Sequence, residues 1–341
     1  MAAKYQIIAR ELERQLCRGQ AEKLPTEAQL CQQYGVSRQT VRSALGVLEE
    51  KGLILRRQGS GSYPTQTGAS RQIAVVLGDR EEYLAPALLR DLRKAAAEEG
   101  YTVSCLETGF RREREGELLA KLTCQRPAGI ILEPITDVLG CFQGEPLRKL
   151  VSLGVPLVYL NGRYDVPSPA VLWEDERGAG ILMAHLASGG HRRVAAILRW
   201  DDSRGTRRYQ GLCRAAREMD MSLREENCLW YSQQERLGLL EGDEDLLRRF
   251  QTRFRGDCSA VVCFNDELAF RLQRFLRASR VPMSILSFDN SYLAQEASLT
   301  TLGPAEESSG PAAIRLILSQ MTGKTTEDIL LPWRLYHRKS G

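Results

Sequence analysis

Histidine is nearly absent from this 341-residue chain: His185, His191 and His337 are too few and too dispersed to build a metal site. The nine cysteines include no Cys-x-x-Cys pair, and an odd, unpatterned set reads as reduced, buried thiols in a cytosolic protein. No apolar run approaches the roughly 18 residues of a membrane span. The first residues, MAAKYQIIARELERQL, have the pattern of an amphipathic helix, not of a signal peptide. No glycine-rich phosphate loop sits in a strand-to-helix turn, and no nucleophile stands beside a base, so neither an enzyme nor a cofactor is expected.

What is present is an ordinary core-forming composition, 43% hydrophobic and 26% charged, long enough for two or three domains. The net charge of +4 is unevenly placed. Up to Pro64 the chain carries ten Lys and Arg against six Asp and Glu, so the whole excess lies there and the remainder is neutral. A basic head on a neutral body points to a polyanion partner for the head alone.

The head is organised around Leu24 to Pro64. Lys4 to Arg18 reads as a first helix with Tyr5, Ile8, Leu12 and Leu16 as its buried stripe. Thr26 is placed to cap a second helix running to Gln33, with Gln29 three residues on to close a capping box, and Gly35 turns the chain. Ser37 caps a third helix running to about Lys51, whose Val41, Ala44, Leu45 and Leu48 fall on one face. Arg38, Gln39 and Arg42 then point outward near its N-terminus, as on a recognition helix that enters the major groove. A two-stranded wing follows, with Gly59-Ser60-Gly61 at its tip, where backbone N–H groups can approach phosphate unobstructed. The candidate DNA contacts are Glu27, Ser37, Arg38, Gln39, Thr40, Arg42, Gln58, Gly59, Ser60 and Gly61. The runs LPTEAQL, SRQTVRSAL, EEKGLI and RRQGSGSY together resemble the winged helix-turn-helix of the GntR regulators from Lys4 to Tyr63.

A small, polar run, Thr65 to Ser70, reads as a flexible linker. The expected organisation is a head over residues 1–64, a linker over 65–72 and a body over 73–341. In the body the pattern changes to alternating strands and helices, with strands at Ile73–Leu77, Val103–Leu106, Gly129–Leu132 and Pro156–Leu160. The rhythm restarts after Asp175, with strands at Val194–Leu198, Asn227–Tyr231, Ala260–Phe264 and Ser284–Phe288. Two consecutive units of this kind predict an α/β fold of two lobes, each a parallel sheet flanked by helices.

Ligands in such sheets bind beyond the carboxyl ends of the strands. The polar residues there are Tyr83, Glu133, Asn161 and Arg163 in the first unit, and Arg208, Tyr231, Asn265 and Asp289 in the second. Carboxylates and amides accept from hydroxyls, Arg donates to oxygens, and an aromatic ring packs on a sugar's C–H face, so the set suits a polyhydroxylated ligand. Each residue also has a plainer reading: Asn265 as a helix cap, Tyr231 as core, Arg208 as a partner of Asp201 or Asp202.

GGHRRVAAI, SRGTRRYQGLCRAARE, VVCFNDELAFRLQRFLR, VPMSILSFDNSYLA and LTTL resemble the LacI/GalR regulatory domain, which is related to periplasmic sugar-binding proteins. The resemblance puts Arg208 at the family's ligand-binding Arg, Asn265 in its Asn-Asp motif, Asp289 at its Phe-Asp-Asp and Tyr231 where an aromatic often meets the ligand. A GntR-type head on a LacI-type body is similar to the arabinose repressors of Gram-positive bacteria, although Ala85 stands where that subgroup carries an aromatic. The resemblance implies a cytoplasmic, homodimeric repressor with operator DNA and a small sugar as partners and no membrane association. The alternatives are a cytosolic sugar-binding protein and a corepressor-type regulator of another metabolite.

Overall fold

The computed structural model of the chain describes residues 4–17, 24–50, 54–57, 61–64, 71–138, 144–254 and 258–341. Helices α1 (Lys4–Cys17), α2 (Glu27–Tyr34) and α3 (Arg38–Glu50) precede an antiparallel hairpin of β1 (Ile54–Arg57) and β2 (Gly61–Pro64). Both halves of the expected capping box form: the Gln29 amide donates to the Thr26 hydroxyl, and the Gln29 side chain accepts from the Thr26 amide. Gly35 closes α2 with φ of 60°, a left-handed cap that glycine adopts without strain. Val41, Ala44, Leu45 and Leu48 of α3 are buried with Ile8, Leu12, Leu30 and Ile54, so the 3.6-residue periodicity is realised as one small core. The side chain of Leu16, expected in the same stripe, and the linker from Thr65 to Ser70 lie outside the described residues.

The body begins with β3 (Gln72–Leu77), α4 (Ala85–Glu98), β4 (Thr102–Glu107), α5 (Arg112–Gln125), β5 (Gly129–Leu132), α6 (Gly144–Ser152), β6 (Leu157–Leu160) and β7 (Ala170–Trp173). It continues with α7 (Asp175–Ser188), β8 (Val194–Arg199), α8 (Ser203–Glu218), β9 (Cys228–Tyr231), α9 (Gln233–Leu240), α10 (Asp245–Arg253), β10 (Ala260–Cys263), α11 (Asp266–Ala278) and β11 (Ser284–Phe288). The last elements are α12 (Tyr292–Glu296), β12 (Thr300–Pro304), α13 (Ser309–Met321), β13 (Ile329–Leu331) and β14 (Trp333–Tyr336).

Two six-stranded sheets result. Lobe I runs in the order β13-β7-β6-β5-β3-β4 and lobe II in the order β14-β12-β11-β10-β8-β9; every pairing is parallel except β12 with β14. The short apolar runs β3, β5, β6, β8 and β10 are buried on both faces, as in sheets covered by helices on either side.

The lobes are not simply consecutive. After β12 of lobe II the chain returns to lobe I, where α13 packs on α4 and β13 pairs with β7, and it then crosses back to place β14 beside β12. Three segments therefore join the lobes, and Trp173 at one crossing stacks on Trp333 at another, ring centroids 4.2 Å apart. The expectation of two units divided at Asp175 misses this return, because pairing between distant strands leaves no local pattern.

Cys31, Cys105, Cys213, Cys228, Cys258 and Cys263 carry free thiols. No helix among the described residues is long and apolar enough to cross a membrane.

Candidate functional site

Two sites are positioned by this framework. On the head, α3 buries its apolar stripe and leaves Arg38, Gln39 and Arg42 exposed. Ser37 caps the helix by accepting from the Thr40 amide at 3.3 Å, and the two hydroxyls lie 2.9 Å apart. Glu27, at the start of α2, holds Arg42 at 3.0 Å and Arg56 of the wing at 2.7 Å. One carboxylate thus orients a recognition-helix base and a wing base together. Gly61 opens β2 with φ of 116°. Gln58, Gly59 and Ser60, expected at the wing tip, lie outside the described residues.

The second site lies where the carboxyl ends of both sheets face each other. From lobe I, Glu133 follows β5 and Asn161 follows β6; the Asn161 amide donates to the Glu133 carboxylate at 2.6 Å. From lobe II, Asp289 follows β11 in a left-handed conformation, φ 111°. The Tyr83 hydroxyl, after β3, donates to Asp289 across the cleft. Burial pushes the Asp289 carboxyl up to about 7, against the opposing pull of Arg208 and the Tyr83 hydrogen bond. Burial, and then the charge of Asp289, raise the Tyr83 hydroxyl well above the usual phenol range, so it stays a donor.

Arg208 is fully buried on α8. Its Nε donates to Asp175 at 2.9 Å, its Nη1 to the Phe264 carbonyl, and its guanidinium lies 3.9 Å from the Phe288 ring centroid. Its carboxylate partner is Asp175, not Asp201 or Asp202. Asn265 caps α11 by accepting from the Leu268 amide at 3.0 Å, and Tyr231 is buried with its ring edge-on to Phe264. The plainer readings of these two therefore describe their present contacts. Arg163 is not brought to the cleft: it pairs with Asp328, which also accepts from the Ala170 amide at the entry to β7. Its left-handed neighbour Asn161, φ 64°, turns the chain there, so the two residues take different directions.

Several cleft residues escaped the sequence reading. Asp137 of lobe I accepts from the Ser203 amide at 2.8 Å, and Arg207 donates to the Asn161 carbonyl at 3.2 Å, so α8 of lobe II is fastened to lobe I. Asp202 accepts from Arg199 and Arg204, each at 2.6 Å. Burial opposes ionisation of Asp202, but the two guanidiniums hold it well below the usual carboxylate range. Gly205 makes the turn into α8 possible: a Cβ there would lie 1.8 Å from the Arg199 carbonyl oxygen. The run Arg199 to Arg207 is dense in charge at a strand end, a signal that could have revealed them. The space left inside the ring of Glu133, Asn161, Asp202 and Arg204 is only about 10 Å3. Ring carboxylates accept from hydroxyls and its guanidiniums donate to oxygens, which is binding chemistry. Among the described residues no group of three His, Cys, Asp or Glu is placed to hold a metal.

Residues 4–63 match the family model of bacterial regulatory proteins, gntR family, and residues 183–341 match a periplasmic binding protein-like domain. The chain is 31% identical over 321 residues to the arabinose metabolism transcriptional repressor of Geobacillus stearothermophilus, covering 90% of this chain and 87% of that one. It is 29% identical over 338 residues to the protein of the same name from Halalkalibacterium halodurans, covering 94% and 89%. Among solved structures, a periplasmic binding protein/LacI transcriptional regulator from Alkaliphilus metalliredigens, complexed with D-xylulofuranose, superposes with a TM-score of 0.66 at 20% identity. That match covers 80% of this chain and 99% of the other, and it shares the fold.

Proposed function

The chain belongs to the family of the arabinose metabolism transcriptional repressors, sugar-metabolism regulators with a gntR-type head, and from that premise we propose that a small neutral sugar releases it from operator DNA. L-Arabinose is the first candidate, by the names of its relatives. The head, residues 1–64, reads DNA; the body, residues 73–341, binds the effector and dimerises. A helix-turn-helix reads half-sites related by twofold symmetry, so the working unit is a homodimer in the cytoplasm, where the operator is.

The observation that carries this reading is the ring of carboxylates and guanidiniums fastened across the cleft by Tyr83 to Asp289 and Asp137 to Ser203. With about 10 Å3 inside the ring, a sugar enters only when the lobes part, and its hydroxyls then replace the bonds between them. An effector that substitutes for bonds fastening the lobes changes their relative arrangement, and with it the spacing of the two heads. Glu133, Asn161, Arg208 and Asp289 are the residues proposed to meet the sugar, with Asn265 and Tyr231 supporting the wall.

Titrating a labelled operator duplex with the full chain, with and without L-arabinose, D-xylose, D-galactose and D-ribose, tests the reading. Release by one of them supports it. Tighter operator binding makes the sugar a corepressor, and indifference to every sugar removes this ligand class.

A further inference from the structure

Lobe II has a second concave site, at the amino ends of its strands, opposite to the cleft. An open pocket of about 450 Å3 lies where α11 ends and β11 begins. Small-molecule pockets run from ~300 to 1,000 Å3, so this one has room for a small metabolite. The same two elements reach the cleft at their other ends: α11 starts beside Asn265, and β11 leads into Asp289. The 13 residues of α11 hold the two sites about 20 Å apart, so the pocket is no part of the sugar ring.

Two bases, Arg277 and Lys339, line the pocket, and among the described residues no carboxylate does. Both bases are exposed, and neither side chain meets a hydrogen-bond or ion-pair partner among the described residues. Arg277 stands in the last turn of α11, where a base also suits the carboxyl end of a helix. Lys339 has no such role. It is brought from beyond β14 by the tail at Ser340, whose carbonyl accepts from the Ile285 amide at 2.7 Å and whose hydroxyl accepts from the Thr300 amide at 2.8 Å. The third polar group is Gln273, only 7% exposed, whose amide has no partner among the described residues and keeps its solvent contact at this pocket. Buried polar groups are nearly always bonded, so an amide open only to a pocket is satisfied by what occupies it. Leu276, Val281 and Met283 set an apolar wall beside these donors.

We infer that this pocket binds a phosphate monoester of a small organic alcohol, as a second ligand separate from the sugar. A phosphate monoester carries about −1.5 to −2 charges at neutral pH, which Arg277 and Lys339 together match. Their N–H groups donate to two of its terminal oxygens in charge-assisted bonds, and the Gln273 amide donates to the third. The carbon skeleton lies against Leu276 and Met283. The inference does not depend on the sugar reading of the cleft.

Calorimetry on the full chain at constant ionic strength tests it, with glycerol 3-phosphate, ribose 5-phosphate and glucose 6-phosphate set against inorganic phosphate and the unphosphorylated alcohols. One ester is expected to bind at least ~10-fold more tightly than inorganic phosphate and than its own alcohol. Arg277→Gln and Lys339→Gln are each expected to weaken that ester at least ~5-fold and to leave L-arabinose binding alone, since each removes a charged donor far from the cleft. Gln273→Leu, which keeps the volume and removes the amide, is expected to weaken it in the same way. Arg277 and Lys339 are exposed, so their variants should fold, and a thermal melt verifies it. An ester bound equally well by the Arg277 and Lys339 variants sits elsewhere, on the basic head for example, and overturns the pocket as its site. Inorganic phosphate binding as tightly as every ester overturns the organic ligand. Binding of no ester overturns the inference and leaves the sugar reading standing.

Discussion

The Tyr83 hydroxyl of lobe I donates to the Asp289 carboxylate of lobe II, so one hydrogen bond ties the two lobes together across the cleft. A bond to a charged group is worth about 1.5–3 kcal/mol, and Tyr83→Phe removes it with almost no change of shape. The Phe variant should shift the lobes toward the open arrangement and change sugar affinity by up to that amount. Calorimetry on the variant checks it; identical sugar affinity would remove Tyr83 from the closure.

Asp289 also sets a pH dependence. Its carboxyl, pushed up to about 7 by burial, exchanges a proton near neutrality. Sugar hydroxyls that donate to the carboxylate favour the ionised form and lower that value on binding. Sugar affinity should therefore weaken as pH falls from about 8 to 6, with proton release on binding near pH 7. Calorimetry in buffers of differing ionisation enthalpy measures it, and proton-neutral binding would contradict it.

Glu115 gives a second pH effect, on stability. It is buried on α5, where it accepts from the Tyr164 hydroxyl at 2.8 Å, and burial raises it to about 7. Between its ordinary value and about 7 the folded chain holds this proton more firmly than the unfolded chain. Its contribution is complete at lower pH and is lost as pH rises through about 7. In Glu115→Gln, which can keep the Tyr164 bond, the fall of Tm between about pH 5 and 8 should be shallower than in the parent.

Arg208, on α8, contributes differently from what its expected place among the strand-end residues implied. It is paired with the fully buried Asp175. Removing one member of such a pair strands the other, at about 3–5 kcal/mol. Arg208→Ala should lose stability of that order in a denaturant melt, along with any loss of sugar response; an unchanged midpoint would mean that Arg207 alone satisfies Asp175.

The contrast between Arg208 and the helices of the head shows what was legible. The capping box at Thr26 and Gln29, the stripe of α3 and the buried strands depend on neighbours a few residues apart, so composition and spacing reveal them. The cleft residues after β5, β6 and β11 follow from one rule, that polar residues at strand ends face the cleft. Arg163 breaks the rule because Asp328, 165 positions away, captures it. Asp137 and Ser203 act across the lobes, and no local pattern announces such pairings. The return of α13 and β13 to lobe I was hidden for the same reason.

On the head, Arg42 lies exposed on α3 beside Glu27. Arg42→Ala should weaken operator binding by about 1–3 kcal/mol and leave sugar affinity alone. Glu27→Gln should also alter operator affinity, since Glu27 orients both Arg42 and Arg56; a gel-shift titration of the two variants separates the effects. Binding should weaken steeply with salt, by ~10-fold or more between 50 and 200 mM, through release of phosphate counterions.

The most direct measurement is the anisotropy of a labelled operator duplex titrated with the full chain at fixed salt, in the presence and absence of the best-binding sugar. It is paired with calorimetry of that sugar on the free and DNA-bound chain. The expected result is at least ~10-fold weaker operator binding with sugar, and sugar binding weakened on DNA by the same factor, as linkage requires. Operator affinity unmoved by a sugar that demonstrably binds the body would contradict the coupling of the cleft to the head.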